Sequence, residues 1–117
     1  MRYAMLIYND ESIEPTAEQR QQIMTGYYDF TDEVRDKGIM QAADALQPAG
    51  TATSVRVRNG QTETTDGPFA ETKEQLGGFY LLECKDLDEA IAYAAKIPSA
   101  QSGTIEVRPI MEIPPRN

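Results

Sequence analysis

The sequence predicts an α+β protein of ferredoxin-like plan, ordered strand, helix, strand, hairpin, strand, helix, strand. Three observations predict it. Compact apolar or alternating runs stand at residues 3–8, 77–84 and 104–113. The period changes to a helical one after Thr16 and again after Asp86. Between these halves, Asn59-Gly60 joins two segments rich in β-branched residues.

Residues 3–8 are bounded by Asn9-Asp10-Glu11-Ser12 and read as a buried strand. Thr16-Ala17-Glu18-Gln19 has the form of a capping box, and Ile23, Tyr27, Phe30 and Val34 follow on one helical face. Gly38 closes that helix, with Lys37 placed where a cation suits the negative end of the helix dipole. Residues 39–46 read as a second strand ended by Gln47-Pro48-Ala49-Gly50. Residues 53–58 and 61–65 flank Asn59-Gly60, which tolerates the positive φ of a type I′ turn; in that register Arg56 faces Glu63 as a surface cross-strand pair.

After the strand at 77–84, Asp86 with Glu89 is expected to form a second capping box, and Leu87, Ile91, Ala94 and Ala95 supply an apolar stripe before Pro98. The last strand, 104–113, places Ile105, Val107, Met111 and Ile113 on one face, with Glu106, Arg108 and Glu112 on the other. Both faces of the first strand are apolar: Tyr3, Met5 and Ile7 oppose Ala4, Leu6 and Tyr8, just as Tyr80 and Leu82 oppose Phe79 and Leu81. Such strands are normal only where both faces are covered. Two helices cover one, so the expectation is a homodimer in which a second subunit lays its sheet over the other.

Length and charge narrow the function classes. At 117 residues the chain is read as one domain, 1–117, able to bury a core without disulfides or a structural metal. A net charge of −8 argues against nucleic acid and anionic membrane surfaces as partners. There is no histidine and a single cysteine, Cys84, which reads as a small buried hydrophobe; no zinc pattern exists, and no cofactor is assigned. No export signal or membrane-length apolar run is seen, so a cytoplasmic location is expected.

One segment stands apart. Asp66-Gly67-Pro68-Phe69-Ala70-Glu71-Thr72-Lys73-Glu74 packs three carboxylates near a phenylalanine and a lysine, in a connection longer than a simple strand link needs. Two readings stay open. Asp-Gly-Pro is good turn chemistry, Phe69 could plug the core and the Glu/Lys run could be a solvated face; equally, the excess length could carry a site.

The string DGPFAETKE, the following 76–82 and 86–90 segments, the terminal 105–111 run and the first strand together resemble the DGPF branch of the YCII-related family over almost the whole chain. The resemblance implies a bacterial protein with a dimeric α+β barrel fold, akin in shape to muconolactone-isomerase-like proteins, with a cleft at the subunit junction. It also implies relatives that act on small compounds derived from aromatic rings, and genes lying beside sigma factors of the extracytoplasmic-function class. A His/Asp pair proposed for other branches has no counterpart here. Acid/base work would fall to a carboxylate, Tyr or Lys. Asp66 is then the candidate base, with Glu71 or Glu74 as a second carboxyl group, because neighbouring carboxylates in a water-poor cleft push their pKa values apart. Lys73 and Arg108 would hold an anionic substrate; Tyr8 and Phe69 would line the cleft, although a Tyr8 satisfied by backbone and an Arg108 paired with Glu106 or Glu112 of a neighbouring strand are the plainer readings. A site for a hard cation lacks any Asp-x-Asp spacing. Three functions follow: a small-molecule enzyme of lyase or isomerase type or an enzyme-like binder, a regulatory or accessory module without chemistry, and a purely structural motif that seals a dimer.

Overall fold

The computed structural model describes residues 1–116. Its elements run β1 (Arg2–Asn9), α1 (Ala17–Asp36), β2 (Met40–Ala45), β3 (Thr53–Arg58), β4 (Gln61–Asp66), β5 (Gln75–Glu83), α2 (Leu87–Ala94) and β6 (Thr104–Pro109). Strands β2-β5-β1-β6 form one antiparallel sheet, and β3-β4 form a second sheet of their own. This is the ferredoxin-like arrangement with a hairpin inserted between its two halves. β1 is central because it pairs on both sides, with β5 and with β6.

The caps explain where the helices start and stop. Thr16 Oγ accepts the Gln19 N–H at 3.1 Å while the Gln19 side chain accepts the Thr16 N–H at 2.8 Å, a complete capping box. Gly38, at φ 71°, takes the left-handed conformation that ends α1 at little steric cost. At α2 the box is displaced: Asp86 caps the Glu89 N–H at 2.9 Å, but the Glu89 carboxylate reaches past Asp86 to the Lys85 N–H.

The core lies on the helical side of the sheet. Tyr3, Met5 and Ile7 of β1 and Tyr80 and Leu82 of β5 meet Phe30 and Val34 of α1 and Ala90 and Ala94 of α2. Met5, Leu82, Val34 and Ile97 are fully buried, each contributing about 1.5–3 kcal/mol by leaving water. Phe30 meets Tyr80 edge to face at 5.0 Å. The tyrosine hydroxyls that go inside are satisfied, Tyr80 by Thr31 at 2.7 Å and Tyr27 by Ser99 at 2.6 Å. Cys84 is buried as expected, and burial pushes its thiol pKa up.

Three further details differ from the sequence expectation. In α2 the inward residues are Ala90 and Ala94, whereas Leu87 and Ile91 are about half exposed; the two alanines let the short helix lie close to the sheet, and Ile97, beyond its end, fills the space. On α1, Ile23 lies beyond the reach of the sheet and is 40% exposed. The last strand stops at Pro109, which cannot donate to a ladder, after which the Ile110 N–H bonds Arg2 O and the chain leaves the sheet with Met111 and Ile113 exposed. Glu112 therefore joins no strand face but grips Arg2 through two bonds, at 2.6 and 2.8 Å.

The hairpin is as read, with Asn59 at φ 52° and Gly60 at φ 74° in the turn and Arg56 opposite Glu63. It projects from the body. A single folded unit of this length would have a radius of gyration near 13 Å; this chain has 16.5 Å, with extents of 50 × 47 × 19 Å. The smallest extent suits one sheet with one helical layer, and leaves the far face of the sheet open. No helix among the described residues is long and apolar enough to cross a membrane.

Gly103 marks a close approach that positions the site end of β1, because a Cβ there would collide with the carbonyl oxygen of Tyr8. Gly103→Ala should destabilise the fold by about 2 kcal/mol or more in chemical denaturation, while Gly50→Ala, with open space around it, should cost no more than about 0.5 kcal/mol.

Candidate functional site

Three connections meet at one end of the sheet: the turn after β1, the segment after β2 and the stretch leading into β5. Asp10 folds the first of them. Its carboxylate accepts the Ser12 hydroxyl at 2.6 Å and the Ser12 N–H at 3.0 Å, a side-chain-closed turn. The Glu11 carboxylate accepts the Ala49 N–H at 3.0 and 3.2 Å, tying the second connection to the first. In the third, the Thr72 hydroxyl donates to Glu74 O at 2.6 Å and the Gln75 amide donates to Thr72 O at 2.9 Å, which sets the backbone around Lys73.

Between them lies an open groove of about 440 Å³ lined by Asp10, Glu11, Ser12, Thr72, Lys73 and Gln75. The Ser12 hydroxyl and N–H, helped by the Lys73 charge, hold the Asp10 carboxyl below its ordinary range. Asp10 is thus kept ionised beside a cation and two hydroxyls. Such a set can hold a polar molecule by its oxygens or accept a proton from it. No group of three or more His, Cys, Asp or Glu side chains that could hold a metal occurs among the described residues.

Of the seven residues singled out from the sequence, Lys73 alone lines this groove. Asp66 ends β4 opposite Thr53 and is exposed, as is Glu71, while Glu74 is half-buried; within one copy no water-poor cleft surrounds the three carboxylates. Phe69 does not plug the core: it is 81% exposed, because Gly67 and Pro68 turn the chain outward before it. Arg108 pairs with Glu106 at 2.9 Å along its own strand, on the open face, since Glu112 is taken by Arg2.

Tyr8 also lies on the open face, at the bulge where β1 slips register against β5. It is half-buried, and its hydroxyl has no hydrogen-bond partner among the described residues, so backbone does not satisfy it. Asp10, Glu11 and Ser12 were missed because a polar run after an apolar strand reads as a boundary. The usable signal was Asp10-x-Ser12 spacing, which favours a side-chain-closed turn and holds a carboxylate at a strand end.

Gly67 sits at φ 93° and is clamped at the foot of the hairpin, its N–H bonded to Ala52 O at 2.6 Å and its carbonyl to the Ser54 hydroxyl at 2.8 Å. Only glycine takes that conformation without strain. The motif therefore has a structural part, Gly67, and an outward-facing part, Phe69 to Lys73.

A four-stranded antiparallel sheet with helices on one face, the other face open and a polar groove at the sheet's end defines the class by its fold: ferredoxin-like α+β, the fold of the dimeric α+β barrels. Within that class the chain belongs to the YCII-related domain family, whose model matches residues 1–114. It is 40% identical over 114 residues to an uncharacterised protein of Rhizobium meliloti (strain 1021), covering 94% of this chain and 92% of that one. Its fold is similar to that of a 5-chloro-2-hydroxyhydroquinone dehydrochlorinase from Burkholderia phenoliruptrix AC1100 in complex with 2,5-dihydroxybenzoquinone, at a TM-score of 0.56 and 15% identity over 95% of this chain and 94% of that one.

Ser12→Ala removes the largest influence on the Asp10 carboxyl, so its pKa should rise toward the ordinary 3.8 in a carboxyl-carbon NMR titration, with a smaller rise in Lys73→Met. The sign for stability follows. A depressed carboxyl adds stability that is present above the unfolded-state pKa and is lost as pH falls through the folded-state value, so acid unfolding of Ser12→Ala should begin at a higher pH than that of the wild type.

Proposed function

We propose that the protein is a cytoplasmic, single-domain homodimer that binds a small oxygen-rich organic molecule, an acid or a hydroxylated ring, in a cleft formed where the open sheet face meets the partner subunit and lined by residues 66–74. One observation carries this reading: Lys73 and an ionised Asp10 share a groove at the end of an uncovered apolar sheet face that also presents the unpartnered Tyr8 hydroxyl. An apolar platform with a few convergent polar groups is the usual make-up of a small-molecule site. The dehydrochlorinase of similar fold, solved with a dihydroxybenzoquinone, is consistent with a ring-sized ligand.

In this reading Lys73 binds an anionic oxygen at the groove, whereas Arg108, opposite Ala4 and about 20 Å along β1 from Asp10, keeps its pair with Glu106. Tyr8 donates to a second oxygen, and the ring lies on Phe79, Leu6 and the exposed Phe69 of the closed dimer. Chemistry on such a ligand is carboxylate-assisted proton transfer: one carboxylate among Asp10, Asp66, Glu71 and Glu74 removes a proton from a ring hydroxyl or from a carbon beside a carbonyl, and Lys73 stabilises the negative charge left on oxygen. A second reading, in which the motif is structural, has its own support in the Gly67 clamp.

The experiment is a thermal-shift series with 2,5-dihydroxybenzoquinone, benzoate and small hydroxy acids. A ligand present at about 100 times its dissociation constant stabilises by about 2.7 kcal/mol, which is several degrees in a domain of this size. A shift that Lys73→Met and Tyr8→Phe each reduce at least about tenfold in apparent affinity supports the site. Absence of any shift at millimolar concentration of all three classes, or a shift untouched by both substitutions, contradicts it.

A further inference from the structure

The β3–β4 hairpin has no evident reason to hold its shape in a single copy. It shares no ladder with the main sheet, and every residue on both strands but Ser54 is exposed. A lone two-stranded hairpin is at best marginally stable in water. Yet one of its faces is written for contact: Val55 and Val57, 60% and 61% exposed, lie across from Thr64 and Thr62, and the one charge on that face is Asp66 at the hairpin's foot, opposite Thr53. The charged residues Arg56, Arg58 and Glu63 alternate onto the other face.

We propose that this hairpin is an arm that embraces a second copy of the chain, its Val55–Val57 face packed on the partner's body beside the paired sheets, and that the candidate site is incomplete until the partner holds it. This rests on the dimer proposed above and adds which element clasps it. Area is the first argument for a second copy. Four strands of six to nine residues present roughly 500 Å² in projection and the arm roughly 200 Å² more. Stable association buries about 800 Å² of accessible surface per partner, a size that the sheet face and the arm supply together.

Charge is the second argument. The chain carries −8 overall, but the arm is neutral, with Arg56 and Arg58 against Glu63 and Asp66, and the open face carries Arg2 and Arg108 against Asp44, Glu83 and Glu106. The excess negative charge thus lies on the helices and loops. Two copies can meet through these near-neutral surfaces, whereas the helical sides repel. A two-fold arrangement uses the same patch on both copies and supplies two arms per dimer.

The consequence reaches the site because the arm's foot is the motif itself. Gly67 is bonded to Ala52 and Ser54 at the base of the hairpin, so whatever fixes the arm fixes the direction in which Asp66 leaves it and Phe69 projects. Partner capture of the arm converts an exposed segment into a wall of the cleft.

The test uses the full chain. The dimer dissociation constant is measured by dilution of a fluorescently labelled chain for wild type, Val55→Asp/Val57→Asp and Arg56→Ala, the last on the charged face. The expected result is dissociation at least about 100-fold easier in the double variant, with four buried carboxylates per dimer, and a change within about twofold for Arg56→Ala. Hydrogen exchange should show the arm's ladder amides protected at least about tenfold more in the wild-type dimer than in a Leu6→Asp chain, whose monomer keeps protection in β1 and β5. A wild-type dimer that the double variant weakens no more than Arg56→Ala does, or arm amides equally open in both chains, overturns the arm while leaving the dimer standing. A wild-type chain that is monomeric throughout overturns both.

Discussion

β1 is the constraint on which the rest of the structure depends. It pairs on both sides, so it sits mid-sheet, and it is apolar on both faces, so each face needs a cover. Tyr3, Met5 and Ile7 receive theirs from α1 and α2. On the other face Ala4 is shielded by its larger neighbours, but Leu6 and Tyr8 stay half-exposed, and with Phe79 and Leu81 they leave an apolar surface facing outward across a molecule only 19 Å thick. Everything placed at the edge of that surface, from the groove at its end to the hairpin beyond it, acquires its role from how the surface is closed.

That arrangement separates two jobs inside one short motif. Asp66-Gly67-Pro68 is a clamp, with Gly67 in a conformation other residues resist and both its backbone groups bonded to the hairpin's foot. Phe69 to Lys73 is a presenting strip, and Lys73 delivers its charge to a groove whose acid comes from elsewhere, the turn after β1. A carboxylate held ionised by two bonds from Ser12 is a better-defined partner for that lysine than the exposed Glu71 of the same strip.

The fold was largely legible in the sequence because its signals are local. Thr16 with Gln19, Asn59 with Gly60 and the two-sided apolar runs each fix their element through near neighbours, and the ferredoxin-like order follows. Legibility failed where an outcome depends on distance. Leu87 and Ile91 look like a buried stripe until the alanines beside them are seen to bring the helix onto the sheet, and Phe69 looks like a core plug until Gly67 turns it out. Of the candidate site, the sequence located one wall. Asp10, Glu11 and Ser12 come from about 60 residues away in the chain, and nothing but the pairing of β1 with β5 brings them beside Lys73.

The account stands on the open sheet face being closed by a second copy. Sedimentation equilibrium of the unmodified chain at micromolar concentration tests this most directly. A species of twice the 13.0 kDa chain mass is the predicted result. A single 13.0 kDa species that persists up to about 100 µM would contradict it, since specific dimers of this interface size hold well below that concentration.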